Sequence, residues 1–410
     1  MLKILKIKVS GYKLLKDNFD IDFTSKTRVY EEDLEKGAVE INNGLYEFNS
    51  YAFVGGNSSG KSTVLSLILK TTLFLQTGRW EYNPLEFKKD KIELEILFYL
   101  DGKVYSYYVV LGKNDNGISL ANSVYSPIVS EKLYSAKYEK KKGKKNIDGF
   151  DNIKKDISDT LKSLSDTSSL VNITKDKVFV DYFMTNNIVT ANEALVRNTF
   201  FQALTNCSKE LLSSIIQLLD ESIEYINYNN SDTVTFKRFN EEPIIMPKIE
   251  LLAILSTGTF RGIELYIRAI NSLKFGKVLI VDEIENSFQK NLVNNLLFLF
   301  NDSKINSKGA QLIFSTHYVE ILDYLSRRDN IFITHKDDGK ISVKNLYSDY
   351  NVRTELSKSK QFDNNVFNTL LNYDQLIKVR RNLLDEIHSN NDWRIRWKGI
   401  PGYFVREGIT

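Results

Sequence analysis

The chain has 410 residues, with 55 Lys and Arg against 52 Asp and Glu and a net charge of +3, so whole-chain charge argues neither for a polybasic nucleic-acid coat nor for an acidic disordered tail, and any such partner must be read locally. With 42% apolar residues, 12% aromatics and five prolines, it reads as an ordered globule large enough for two or three domains. A single cysteine, Cys207, excludes a disulfide framework and any Cys-rich zinc or iron–sulfur site and fits a cytoplasmic location. The lysine-punctuated start MLKILKIKVSGYKLL reads as neither signal peptide nor anchor, and no window of about 18 uncharged apolar residues predicts a membrane span.

Apolar residues alternate at Leu5, Ile7 and Val9 and again at Phe19, Ile21 and Phe23, with Gly11 between, which predicts a hairpin. A strand over 51–54 runs into a Gly-rich turn and a helix over 62–75. Residues 91–112 alternate around Asp101-Gly102, a hairpin signal. From about 128 to 160 the chain is polar and lysine-dense and reads as a solvated loop and helix entry. Over 151–228, residues such as Leu211, Leu212, Ile215, Ile216, Leu218 and Leu219 recur at helical spacing. Strand-like segments DTVTFKRF and PIIMP precede an apolar helix after 258, then a strand at 277–281, a helix at 286–300, a strand at 311–315, a helix at 318–326 and a strand at 330–334. Such alternation predicts a parallel sheet with helices packed on it. The expected domains are 1–125, an N-terminal lobe with a β subdomain; 126–245, a mainly helical insertion; 246–350, a C-terminal lobe; and 351–410, an extension.

Gly55-Gly56-Asn57-Ser58-Ser59-Gly60-Lys61-Ser62 matches G-x-x-x-x-G-K-[ST], between a predicted strand and a predicted helix. Glycines let successive N–H groups curl toward phosphate oxygens, and the helix start adds positive potential. The nucleotide-binding set is therefore Gly55, Asn57, Ser59, Gly60, Lys61, Ser62 and Thr63, with Lys61 bridging the β- and γ-phosphates of ATP and the Ser62 hydroxyl on Mg²⁺. Residues 277–283, KVLIVDE, form an apolar strand ending in two acids. Asp282 is the expected metal-orienting carboxylate and Glu283 the base that polarises the attacking water. An acid pair at a strand end is commonplace by itself, and its weight comes from the P-loop. Likewise Ser256, within LSTGT, reads alone as a helix N-cap, and His317, after QLIFST, as a structural hydrogen-bonder. His335 and His388 stand in no such frame.

The P-loop, LSTG, double acid and His317, in that order, resemble an ABC-type ATPase head of the SMC/OLD kind. More narrowly LSTGTFR, VLIVDEIENSF, QLIFSTH and RRDNIF resemble the AAA-15/AAA-21 group of bacterial ATPases, which includes abortive-infection and OLD-like antiphage proteins. The similarity runs from residue 1 to about 350. It implies an α/β P-loop NTPase fold, an ABC-ATPase head with an N-terminal antiparallel β subdomain and a helical insertion. It implies that the Ser256 hydroxyl and Gly258 N–H cap the γ-phosphate of a nucleotide held by the opposite subunit, and that His317 joins Glu283 as a catalytic residue. Composite ATP sites imply a homodimer or higher homo-oligomer.

The implied function is an ATP-binding and ATP-hydrolysing switch in bacterial antiphage defence, controlling a separately encoded effector, a nuclease or toxin, with DNA as a further candidate partner and no membrane. The alternatives are an SMC-like ATPase in DNA repair or maintenance, a transporter's nucleotide-binding subunit, or a hydrolytically idle scaffold. Thr257 departs from the LSGGQ pattern, Gln289 stands where a His-Pro often follows the second acid, and Gln76 is the candidate for the Q-loop glutamine. Residues 318–410 hold no D-x-D pair, which disfavours an intrinsic Toprim nuclease. Arg380, Arg381, Trp393, Arg394, Ile395, Arg396, Trp397 and Lys398 read as either a core-closing edge strand or a docking surface.

Overall fold

The computed structural model describes residues 2–113, 125–138, 167–183, 207–229, 233–286, 289–350, 357–367 and 373–389. Its centre is a six-stranded sheet built from β5 (Ser50–Val54), β9 (Val180–Phe183), β13 (Val278–Val281), β14 (Gln311–Thr316), β15 (Ile331–Asp337) and β16 (Lys340–Asn345), in the order β16-β15-β5-β14-β13-β9. All neighbouring pairs are parallel except β15 with β16. Every residue of β5, β13 and β14 is buried, as expected for parallel strands covered on both faces. Registers Thr316↔Val54 and Phe314↔Val281 bring the C-terminal ends of these three strands to one edge, so the segments that follow them share a rim.

Two cores flank this sheet. On one side, Phe53, Ile280 and Ile313 pack with α1 (Lys61–Thr77) and with a five-stranded antiparallel sheet of order β2-β1-β6-β7-β8. Here β1 is Lys3–Ser10, β2 Phe19–Asp22, β6 Lys91–Leu100, β7 Lys103–Gly112 and β8 Ile128–Lys137. The expected hairpins form: β1 pairs with β2, and β6 with β7 around Asp101 and Gly102, both at positive φ as a tight two-residue turn requires. On the other side, Val54, Leu279, Val281, Leu312 and Phe314 meet α5 (Lys290–Asn301) through Leu296, Leu297 and Phe300. A third apolar cluster stands apart. It joins α2 (Lys209–Leu219), α3 (Lys248–Ile254) and α4 (Thr257–Phe275) to a small sheet of order β10-β11-β12, at Ile223–Tyr228, Thr233–Arg238 and Ile244–Pro247. A short hairpin of β3 (Ala38–Asn42) and β4 (Leu45–Phe48) completes the strands described.

The mainly helical character expected for 126–245 does not hold over its described residues. They contain β8, β9, β10, β11 and the start of β12, against α2 and one helical turn at Val171–Thr174. The residues at helical spacing, Leu211 to Leu219, do form α2, but that helix spans only 209–219 and strands occupy most of the remaining described residues. The polar run from 128 likewise opens with β8, paired along β7, and 139–160 lies outside the described residues. The helix expected at 318–326 is a 3₁₀ segment, Val319–Tyr324. Residues 368–410 form a separate compact unit whose described part is a helix, Tyr373–Ser389, with Arg380 and Arg381 exposed. Trp393, Arg394, Ile395, Arg396, Trp397 and Lys398 lie outside the described residues, as does the side chain of His388. No helix among the described residues is long and apolar enough to cross a membrane.

Candidate active site

The turn between β5 and α1 is fixed by backbone demands that only some residues meet. Gly60 caps α1 at φ 106°, and a Cβ there would come within 2.6 Å of the Ile341 side chain. At Gly55, a Cβ would lie 2.4 Å from Thr334 Oγ1 and 2.6 Å from the Thr334 carbonyl. Glycine at both positions is thus dictated by β15 and β16 pressing on the loop. Buried Ser59 shares a 2.6 Å hydrogen bond with Thr334 Oγ1, tying the loop to the same strand.

Lys61 is the first residue of α1 and is buried. Its Nζ donates to the carbonyls of Gly55 (3.0 Å) and Gly56 (3.2 Å) and lies 3.4 Å from His317 Nδ1. Burial pulls its pKa below the ordinary lysine value, while Asp282, Glu285 and Glu283 oppose that shift. Asn57, Ser58 and Ser62 are exposed and Thr63 half-buried. These residues line a cavity of about 370 Å³ together with Ser59, Gly60, Lys61, Glu283, His317, Leu14, Lys336 and Ile341.

The two acids stand differently. Asp282, buried, accepts from the Ser315 hydroxyl at 2.5 Å, and its N–H donates to Phe183 O on neighbouring β9. Glu283 sits at φ 52°, a left-handed backbone that aims its half-exposed side chain into the cavity. Its N–H donates to Ser315 Oγ at 2.7 Å, and its Oε1 is 4.0 Å from His317 Nε2. Gly55, Asn57, Ser59, Gly60, Lys61, Ser62, Thr63, Asp282, Glu283 and His317 therefore gather at the C-terminal edge of β5, β13 and β14.

Ser256 and Gly258 do not join them: neither lines the cavity. Ser256 is exposed and N-caps α4, its Oγ accepting from the Thr259 N–H at 3.0 Å and lying 2.8 Å from Thr259 Oγ1. Gln76 lies near the far end of α1, about 22 Å along the helix axis from Lys61. That places it away from the phosphate-facing rim.

Sequence reading passed over Leu14, Lys336, Ile341 and Glu285. Leu14 belongs to the turn after β1, whose carbonyl accepts the Ile341 N–H at 2.7 Å while Lys16 N–H donates to Ile341 O at 2.9 Å. No motif marks these, because they meet only through the β15–β16 hairpin. Glu285 did carry a signal, as a third acid two residues beyond Glu283.

The arrangement fits a nucleoside triphosphate with a divalent cation. Close backbone approach is enforced at Gly55 and Gly60, the start of a seventeen-residue helix points N–H groups into the cavity, and a cation is already seated there. Among the described residues no cluster of three or more His, Cys, Asp or Glu could hold a metal alone. Mg²⁺ characteristically uses one or two protein oxygens plus phosphate oxygens and waters; Ser62 lines the cavity and would supply one, while Asp282, buried and not lining it, would orient the ion through water.

The family model described as "AAA domain, putative AbiEii toxin, Type IV TA system" matches residues 50–323, from the P-loop strand through the His317 loop. The chain belongs to that family. It is an AAA-type P-loop ATPase by fold and family, with an antiparallel β subdomain beside the α/β core. No curated protein matches the sequence. Among solved structures, the chain is similar to the SMC head domain from Thermotoga maritima, at 13% identity and a TM-score of 0.42 over 84% of this chain and 99% of that one. It is also similar to an SMC head bound to the C-terminal winged-helix domain of ScpA, at 14% identity and a TM-score of 0.46 over 84% of this chain and 98% of that one.

Proposed function

We propose that this AAA-family protein binds ATP with Mg²⁺ in the P-loop cavity, hydrolyses it, and acts as a nucleotide-driven switch in bacterial antiphage defence that controls a separately encoded effector. The observation carrying the reading is convergence: Lys61, Glu283 and His317 come from three different strand ends and meet in one cavity, with Nζ 3.4 Å from His317 Nδ1 and His317 Nε2 4.0 Å from Glu283 Oε1. Lys61, held by two loop carbonyls, is a preplaced cation for the β- and γ-phosphates. Glu283 is held by its own N–H at Ser315, so its carboxylate can take a proton from a water in line with the γ-phosphate. His317 stands across from it as a second polar contact to that water or phosphate. Ser62 and Asp282 are the residues that would hold Mg²⁺, whose charge offsets the negative charge spreading over the transferring phosphoryl group.

Ser256 and Gly258 act from a second copy. An exposed serine at a helix start, outside its own chain's cavity, supports a site completed in a homodimer or higher homo-oligomer. The family description, naming a putative AbiEii toxin and a type IV toxin–antitoxin system, supports placement in defence.

Two measurements test this reading. Purified wild-type protein should release phosphate from ATP with Mg²⁺ and Glu283→Gln should not. Cells carrying the gene and its neighbours should lose phage resistance with Glu283→Gln; full resistance in that variant removes ATP hydrolysis from the defence role.

A further inference from the structure

Glu285 is the one acid of the D-E-I-E run to which the proposed mechanism gives no task. It is 8% exposed, yet one oxygen, Oε1, accepts the backbone N–H of His317 at 2.5 Å and the other, Oε2, has no partner among the described residues. Burying a carboxylate with one oxygen unbonded costs stability, so the presence of Glu285 here calls for an explanation. Its surroundings show what that is. The turn after β13 is stitched to the end of β14 by three hydrogen bonds in succession: Glu283 N–H to Ser315 Oγ (2.7 Å), Ile284 N–H to Ser315 O (3.0 Å), and His317 N–H to Glu285 Oε1. The first two use Ser315, still on the strand. The third reaches one residue past Thr316, where β14 and its pairing with β5 have ended and, among the described residues, no neighbouring strand supplies an acceptor to His317.

We infer that Glu285 is a positioning residue that fixes His317 opposite Glu283 by extending the β14 end with a charge-assisted hydrogen bond. A carboxylate is suited to this because an ionised acceptor makes a shorter and stronger bond to an N–H than a neutral one. With Ile284 fully buried as the anchor of the turn, the backbone positions of Glu283 and His317 are set against each other, and their side chains converge at 4.0 Å. Glu285 does not line the cavity and acts on it through His317, beside the negative charge it places near Lys61, which Glu285→Gln removes while keeping the acceptor. The catalytic consequence rests on the ATPase reading above, whereas the hydrogen bond itself does not.

The experiment has two arms. The chain has three histidines, so selective ¹⁵N-histidine labelling gives three backbone amide signals in the full-length protein. The His317 signal, assigned by its loss in His317→Ala, should sit downfield in the wild type and move upfield in Glu285→Ala. In Glu285→Gln, whose amide oxygen still accepts, it should shift less. An unmoved His317 amide in Glu285→Ala overturns the proposal. In the second arm, Glu285→Ala should lower kcat by about 10- to 100-fold, the scale of a misplaced catalytic group, with KM within about threefold. Glu285→Gln should recover most of the loss. Glu285→Ala combined with His317→Ala should be no slower than His317→Ala alone, since both remove one contribution. Multiplying losses in the double variant, or a Glu285→Gln as slow as Glu285→Ala, overturns the role of Glu285 while leaving the ATPase reading intact. Wild-type turnover that Glu283→Gln leaves unchanged sinks the ATPase reading and with it the catalytic role, and the amide arm still decides the bond.

Discussion

At the P-loop, the groups assigned to the triphosphate are already engaged within the chain: Lys61 is buried against two loop carbonyls, Ser59 is bonded to Thr334, and Gly55 and Gly60 have no room for a side chain. At the start of α4, by contrast, Ser256 is exposed and, among the described residues, its hydroxyl is bonded only within its own first helical turn. One region is preorganised and carries the cost of burying a cation; the other costs almost nothing in the isolated chain and has nothing to grip there. The difference teaches that the two halves of the proposed site answer to different equilibria, nucleotide binding for the first and association of copies for the second.

The comparison breaks most directly at Glu283. Glu283→Gln removes the base but keeps the side chain's size, and kcat should fall about 10²- to 10⁴-fold with ATP still bound, the contribution expected of a general base. If copies associate over bound ATP, this variant should accumulate as a dimer by light scattering when ATP and Mg²⁺ are present. Dimer that forms equally without nucleotide would separate association from the P-loop.

Lys61→Ala attacks the other half. It should weaken ATP binding about 100-fold, measured by calorimetry, because a charge-assisted phosphate contact is lost from a desolvated site. An affinity within threefold of wild type would mean that the backbone cradle alone grips the phosphates. The charge of Lys61 also gives a pH signature. Its pKa lies below the ordinary value of 10.5 in the folded chain, so between that lowered value and 10.5 the unfolded state binds more protons than the folded one. Stability due to this group therefore rises with pH across that window, while ATP affinity falls. Thermal melts from pH 8 to 10 should show a less positive slope for Lys61→Met than for wild type.

How much of this was legible in the sequence follows from where each interaction closes. The P-loop, the KVLIVDE strand and the QLIFSTH strand close locally, through glycine conformations, apolar runs and one turn each, and all three appear where their residues predicted. Glu285 closes across 32 residues onto a backbone N–H, which no residue type advertises. β9 was missed because Val180–Phe183 contains only four residues, one of them Asp181, and becomes a strand by pairing with β13. Asp181 itself binds Arg268 of α4 at 2.6 Å, so a strand-breaking residue is retained for an ion pair that only the fold reveals. Leu14 and Ile341 face the cavity for a similar reason, since the turn after β1 and the start of β16, distant in sequence, exchange backbone hydrogen bonds there.

Ser256 gives the finest test, because its two possible tasks respond differently to two small substitutions. As an N-cap it accepts the Thr259 N–H, and replacement by alanine should cost about 1 kcal/mol of stability, whereas glycine should cost only a few tenths. A serine that only caps would therefore give two variants ranked by melting temperature, with turnover following stability. A hydroxyl that also meets the γ-phosphate of a neighbouring copy is removed equally by both substitutions. Turnover should then fall by a similar factor, about tenfold, in Ser256→Ala and Ser256→Gly despite their unequal melting temperatures, with ATP affinity of the isolated chain unchanged. Turnover that survives in Ser256→Gly would confine this serine to its helix and leave the P-loop cavity to act without a partner's help.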